Sequence, residues 1–140
     1  MSNNENNGKN KSSSDIWFSQ AKFDLKAAED SMNNENYEWS CFQAQQAAEK
    51  ALKAYLYIKR RRNIFTHSIK NLVDQASDFN KKFLELKNAR ILDQYYIPTR
   101  YPNGLPGNVP HNYYLKEDAQ KCVKSAHKVI SLVGEILEKI

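Results

Sequence analysis

The chain has 140 residues, a length that fits one domain able to bury a core without disulfide or metal staples. Its formal net charge of +5 suits a polyanionic ligand or partner without naming one. Cys41 and Cys122 lie far apart, with no CxxC or Cys/His pairing. That argues for two free buried thiols in a reducing compartment and against a zinc site or redox pair.

Residues 1–14 are rich in Asn, Ser and Lys and almost devoid of apolar side chains. They are expected to form a disordered tail, or the remnant of a longer protein, ahead of one domain over residues 15–140. They lack the apolar stretch of a secretory signal, and no apolar run approaches membrane-spanning length. A soluble, cytoplasmic protein with no membrane contact is the expectation.

Phe18, Ala21, Leu25, Ala28 and Met32 recur at steps of three and four, predicting a first helix over residues 15–32. Asp15 is the expected N-cap, and Asn33 and Asn34 tolerate the left-handed geometry that ends a helix. A second helix, over residues 36–61, is apolar on two sides. One stripe runs from Phe42 through Leu52 to Leu56, and the other is Ala44, Ala47, Ala51, Ala54 and Ile58. Small residues on that second stripe permit close backbone approach, so this helix should be the centre of a bundle. Its basic ending, residues 59–62, complements the negative end of the helix dipole.

On the same helix, Gln45, Glu49 and Lys53 share a face, with Gln46 and Lys50 alongside. Three polar side chains in a row on a central helix either bond to one another or line a wet cleft. A plain i, i+4 pair of Glu49 and Lys53 on an exposed face is the simpler alternative.

Thr66 is a candidate N-cap for a short third helix over residues 67–77, and Asn80 opens a fourth that ends near Tyr96, before Pro98. A long connection carries Pro102, Gly104, Pro106, Gly107 and Pro110. A fifth helix, over residues 115–140, repeats Leu115, Ala119, Cys122, Ala126, Val129, Val133, Ile136 and Ile140. That stripe is broad enough for a subunit contact as well as a core. Nothing reads as strand. The predicted fold is all-α, an up-and-down antiparallel bundle of about five helices.

Residues 95–102 contain Tyr95, Tyr96, Pro98, Arg100, Tyr101 and Pro102. Arg100 among tyrosines, with φ restricted by the prolines, is a cation beside π faces, a combination suited to phosphate and base. The plainer alternative has the tyrosines covering the core and Arg100 paired with a local carboxylate. With four glycines and neither GxxxxGKS/T nor GxGxxG, any phosphate must be held by side chains or helix ends.

Several strings in order resemble the HEPN domain family. They are residues 17–28, the run Gln43-Ala44-Gln45-Gln46-Ala47-Ala48-Glu49-Lys50 within residues 41–56, Thr66-His67-Ser68-Ile69, and residues 89–102 with Thr99-Arg100-Tyr101-Pro102. The resemblance covers residues 15–140 and implies a five-helix bundle that commonly dimerises. In its sacsin-type branch, and among stand-alone prokaryotic members, it implies a module that binds a nucleotide of the ATP or GTP class without turnover. On that reading Arg100 and Lys50 or Lys53 meet phosphates, and Tyr95 or Tyr101 meets the base. Gln45, Glu49 and His67 complete the site, and no cofactor or metal is called for. Two alternatives accompany it: a dimerising appendage of a chaperone-like protein, and a metal-independent endoribonuclease of the toxin type.

Ribonuclease members carry Arg, four to six residues, then His, across a dimer cleft. There His serves 2′-hydroxyl attack or leaving-group protonation, and Arg stabilises phosphate charge. Arg62 and His67 have this spacing. Their position directly after the second helix favours a structural role for Arg62, so RNA is the less favoured ligand. His111 and His127 have no partner at triad or metal spacing.

Overall fold

A computed structural model describes the backbone of residues 2–105, 107 and 109–140, and their side chains from residue 11 onward. Met1 of the expected tail and Pro106 of the expected loop lie outside the described residues. Five α-helices, α1 (Ser2–Asn33), α2 (Tyr37–Ile58), α3 (Ile69–Ser77), α4 (Pro110–Tyr113) and α5 (Lys116–Glu138), are joined by two 3-10 segments, Lys81–Tyr95 and Pro102–Gly104. The described residues contain no strand.

α1 begins well before the expected boundary. Residues 2–14 are helical and Asp15 lies inside the helix, not at its cap. No proline interrupts the segment, and a formed helix extends by one hydrogen bond for each residue it fixes. α1 ends in a Schellman turn: Glu35 N–H donates to Met32 O at 3.1 Å and Asn36 N–H to Ser31 O at 2.9 Å. The left-handed residue there is Glu35, at φ 65°, and neither Asn33 nor Asn34.

α2 stops at Ile58, earlier than its basic ending suggested, because Arg60 adopts φ 66° in a second Schellman turn. Arg60 N–H donates to Tyr57 O and Arg61 N–H to Leu56 O. The alanines of α2 are fully buried, as close approach of neighbouring backbones requires. α1, α3, α4, α5 and the long 3-10 segment all pack on α2, which makes it the central element. Ser40 fastens it to α1 by donating to Ala28 O at 2.7 Å. α5 approaches α1 at Gly134, where an added Cβ would sit 3.3 Å from the Phe18 ring.

Residues 81–95 were expected as α-helix and wind as 3-10 instead. Their buried side chains are Phe83, Leu86, Ala89, Leu92 and Tyr95, one every third residue. Three residues per turn keep such a series on one face, whereas an α-helix would let it drift toward solvent. Asn80 caps the segment, its side chain accepting from Lys82 N–H. The cap of α3 is Ser68 rather than Thr66, whose hydroxyl accepts from Ser68 N–H in the turn before it.

In α5, Ala119, Cys122, Ala126, Val129, Val133 and Ile136 are buried, and Val123 and Leu137 pack against the same core. Leu115 and Ile140, at the two ends of the expected stripe, are exposed. Cys41 and Cys122 are buried and free. A hydrogen bond to Cys41, together with burial, pushes the Cys122 thiol far up. No described helix is long and apolar enough to cross a membrane.

Candidate functional site

The polar row of α2 is buried and bonds to itself. Glu49 is 4% exposed and Lys53 5%. Lys53 Nζ lies 3.1 Å from Glu49 Oε2, and Gln45 Nε2 donates to Glu49 Oε1 at 3.2 Å. Gln45 also donates to His67 O at 3.0 Å and accepts from Gln46 Nε2 at 2.7 Å. Mutual satisfaction makes this burial tolerable. Neither the wet cleft nor the exposed pair describes it.

The row reaches solvent through His67. Its Nδ1 lies 3.1 Å from Glu49 Oε1 and 3.2 Å from Oε2, while its side chain is 51% exposed. An ionised carboxylate only accepts, so Nδ1 carries the proton of this contact and Nε2 of the neutral ring keeps its lone pair.

The imidazole stacks on Tyr96, with centroids 4.7 Å apart and planes 17° from parallel. Tyr96 is also a neighbour of Arg100, whose guanidinium carbon lies 4.8 Å from the Tyr96 centroid, 4.4 Å from that of Phe42 and 5.4 Å from that of Tyr101. Arg100 Nε donates to Tyr96 O at 2.9 Å. Arg100 is thus held by aromatic rings and a carbonyl, not by the carboxylate offered as its plainer partner.

The loop beneath is fixed. Thr99, 1% exposed, donates to Tyr95 O at 2.8 Å, and Arg100 N–H closes a turn on Ile97 O. Gly104 lies so close to Pro98 that a Cβ would stand 3.0 Å from its Cα.

Asp93 completes the rim. It accepts from Ser68 Oγ at 3.0 Å and from the backbone N–H groups of Ile69 and Lys70, so it caps α3 from the 3-10 segment. His67, Ser68, Asp93 and Tyr96 line an open cleft of about 230 Å³.

Several expected members lie elsewhere. Tyr95 is buried against Tyr114 and donates to Asp118 Oδ1 at 3.1 Å, because the period of three turns it toward α5. Lys50 pairs with Asp24 of α1 at 2.6 Å, and Lys53 is enclosed with Glu49 near the Trp17 ring. Arg62 sits in the exposed connection after α2, with Nη1 donating to Arg61 O. Tyr101 remains exposed beside Arg100. His111 is not partnerless, since its Nδ1 lies 2.7 Å from Oε2 of buried Glu38.

Phe42, Ser68 and Asp93 are members that sequence reasoning did not select, whereas Tyr96 was among the tyrosines noted beside Arg100 but was not given a role in the site. A sequence signal for Asp93 is its place three residues before Tyr96, one turn from the end of the 3-10 segment that Tyr96 caps. Among the described residues, no group of three or more His, Cys, Asp or Glu side chains is placed to hold a metal ion.

Comparison with known proteins gives a consistent result. Residues 14–137 match the HEPN domain. A relative from Methanocaldococcus jannaschii named "Putative toxin MJ1304" is 27% identical over 144 residues, covering 96% of this chain and 95% of its own. The crystal structure of TT1696 from Thermus thermophilus superposes with a TM-score of 0.76 at 36% identity, covering 87% of this chain and 96% of that one. ST0689, described as an archaeal HEPN homologue, superposes with a TM-score of 0.72 at 30% identity, covering 87% and 95%.

Proposed function

Because the chain belongs to the HEPN domain family, we propose that the cleft beside His67, Tyr96 and Arg100 binds a nucleotide of the ATP or GTP class, or a related phosphate-bearing ligand, without turning it over. The observation that carries this is the position of Arg100. Its guanidinium is stacked among Phe42, Tyr96 and Tyr101, and no carboxylate of the described residues lies within ion-pair distance. Such a group offers charge and planar hydrogen bonding to an anion while an adjacent ring offers a face to a base. A homodimer belongs to the same proposal, and a monomer in sedimentation at high micromolar concentration would contradict that part.

Calorimetry with ATP and GTP tests the reading. Arg100→Ala is expected to weaken binding while the helical circular dichroism stays as it was. Equal affinity in the variant would remove Arg100 from the site.

A second reading, cleavage of RNA, is favoured by the contact between Glu49 and His67 and by the name of the archaeal relative. A carboxylate that fixes Nδ1 leaves Nε2 as an acceptor for a 2′-hydroxyl proton, and a nearby cation can stabilise phosphate charge. Arg100, which shares Tyr96 with His67, suits that cationic role better than Arg62 does. RNA incubated with the protein in EDTA separates the readings: cleavage abolished in His67→Ala would establish the second and end the passive one.

A further inference from the structure

Glu38 and Glu49 lie about three turns apart on α2, so both face the same side of that helix, and each holds a histidine. Glu38 is 5% exposed, and its Oε2 lies 2.7 Å from Nδ1 of His111, whose side chain is 57% exposed. The helix dipole favours negative charge at this place, in the first turn of α2. An ionised carboxylate only accepts, so Nδ1 of His111 carries the proton of the contact, and Nε2, on the side of the ring away from Glu38, keeps its lone pair.

The two pairs differ in what else the carboxylate serves. Glu49 is shared among Lys53, Gln45 and His67. Glu38 has His111 as its one ion partner among the described residues, and its buried Oε1 has no hydrogen-bond partner there. A bare carboxylate oxygen in the interior costs stability, and a pair that served only to fasten α4 to α2 would gain nothing from it. The undivided charge instead acts on one imidazole, where it stabilises the positive charge that develops on the ring when Nε2 attacks an electrophile. The other histidines lack this arrangement. His67 has one face stacked on Tyr96, and His127 meets the Ser131 hydroxyl, at 3.4 Å, in place of a carboxylate. Residues 94–116 contain no Asp or Glu, so an anionic reagent approaching His111 meets no carboxylate of its own stretch of chain.

We propose that Nε2 of His111 is a phosphoryl acceptor, a modification site for donors of the phosphoramidate class, to which a phosphohistidine of another protein belongs. The Nε2 lone pair forms the new N–P bond. The P–N bond of the donor breaks, and its electron pair leaves on the departing nitrogen, as ammonia from phosphoramidate or as imidazole from a phosphohistidine. The His111 ring, substituted at Nε2 and still protonated at Nδ1, is then cationic, and Glu38 neutralises it. The phosphoryl group gives the stretch that carries Arg100 the negative charge its sequence lacks. This site is independent of the ligand proposed for the His67 cleft.

The test is incubation of the purified protein with phosphoramidate, followed by intact mass, phosphorus NMR and peptide mapping of the acid-labile product. His111 is expected to react at least about ten-fold faster than His127 or His67. Glu38→Gln removes the charge while its amide oxygen still accepts from Nδ1, so the fastening of α4 is kept. It should slow His111 about ten-fold or more and leave His127 as it was. His111→Asn should abolish the fast reaction.

A rate at His111 no greater than at His127 or His67 would overturn the proposal, and this comparison within the unaltered protein decides the matter if Glu38→Gln folds poorly. An equal rate in folded Glu38→Gln would also overturn it, leaving the pair as a fastening alone.

Discussion

Glu49 and His67 meet through both carboxylate oxygens, at 3.1 and 3.2 Å, although one side chain is buried in the middle of α2 and the other is half exposed at the mouth of the cleft. The same carboxylate neutralises Lys53 at 3.1 Å. Removing it would strand a buried ammonium. Glu49→Ala is therefore expected to cost about 3–5 kcal/mol in urea unfolding, the scale for breaking a buried ion pair. Adding Lys53→Met should recover most of that loss. No recovery would mean that the cost lies in the bonds to Gln45 and His67 instead.

Asp93 bonds to two N–H groups of the first turn of α3 and to Ser68. Asp93→Ala should destabilise the protein by about 1–2 kcal/mol, the usual range for a lost cap. Hydrogen exchange should quicken at Ile69 and Lys70 first. Uniform acceleration across the chain would place the effect in the core and not at this helix end.

The loop carrying Arg100 depends on Gly104, where a Cβ would stand 3.0 Å from the Cα of Pro98. Backbone on one side of that contact must shift to accept any larger residue. Gly104→Ala is expected to weaken ligand binding several-fold while leaving the melting temperature nearly unchanged, because Gly104 is exposed and Pro98 is only half-buried. Unaltered affinity would show that Arg100 keeps its place without this contact.

Glu35 adopts φ 65° at the end of α1, a conformation costing a side-chain-bearing residue about 1–2 kcal/mol. Glu35→Gly should recover about 1 kcal/mol in urea unfolding, part of the gain being offset by the greater freedom of glycine in the unfolded chain. A loss of stability would mean that the glutamate side chain contributes more than its backbone strain removes.

Burial pushes the Tyr114 phenol from its ordinary 10.0 up to about 12, and burial first, then Cys122 and Asp118, pushes Tyr95 higher still. Above pH 10.0 the unfolded chain releases these protons while the folded chain keeps them, so stability falls as pH rises. It should be insensitive to these groups below pH 10.0 and decline from there through about 12. Tyr114→Phe is expected to flatten that decline. An unchanged alkaline limb would assign it to other groups.

The helices were legible because their apolar spacing is long and regular. The stripe of α5 and the alanine face of α2 needed only a count of residues to reveal what they bury. The 3-10 segment was not, since Phe83, Leu86 and Leu92 suit a period of 3.6 nearly as well as one of three, and only the burial of Ala89 and Tyr95 separates the two. That ambiguity decided the site. An α period lets Tyr95 face the cleft; with three residues per turn Tyr96 does, alongside Asp93.

Gln45, Glu49 and His67 could be grouped from sequence because steps of four on α2 and the Thr66-His67 string point to one place. The fates of Lys50 and Lys53 depend on Asp24 and Trp17 of α1, contacts between distant parts of the chain that local spacing does not encode.

The long 3-10 segment is a strut whose length depends on how tightly it is wound. Recoiling residues 81–95 as an α-helix would shorten it by roughly 7 Å, since each residue would advance about 1.5 rather than about 2.0 Å. The stacked pair at its far end would be pulled off register, and Asp93 would swing away from the helix it holds. Aperture and pitch in this protein are therefore one mechanical variable, and a substitution that loosens the spiral would shut the door without touching the hinge.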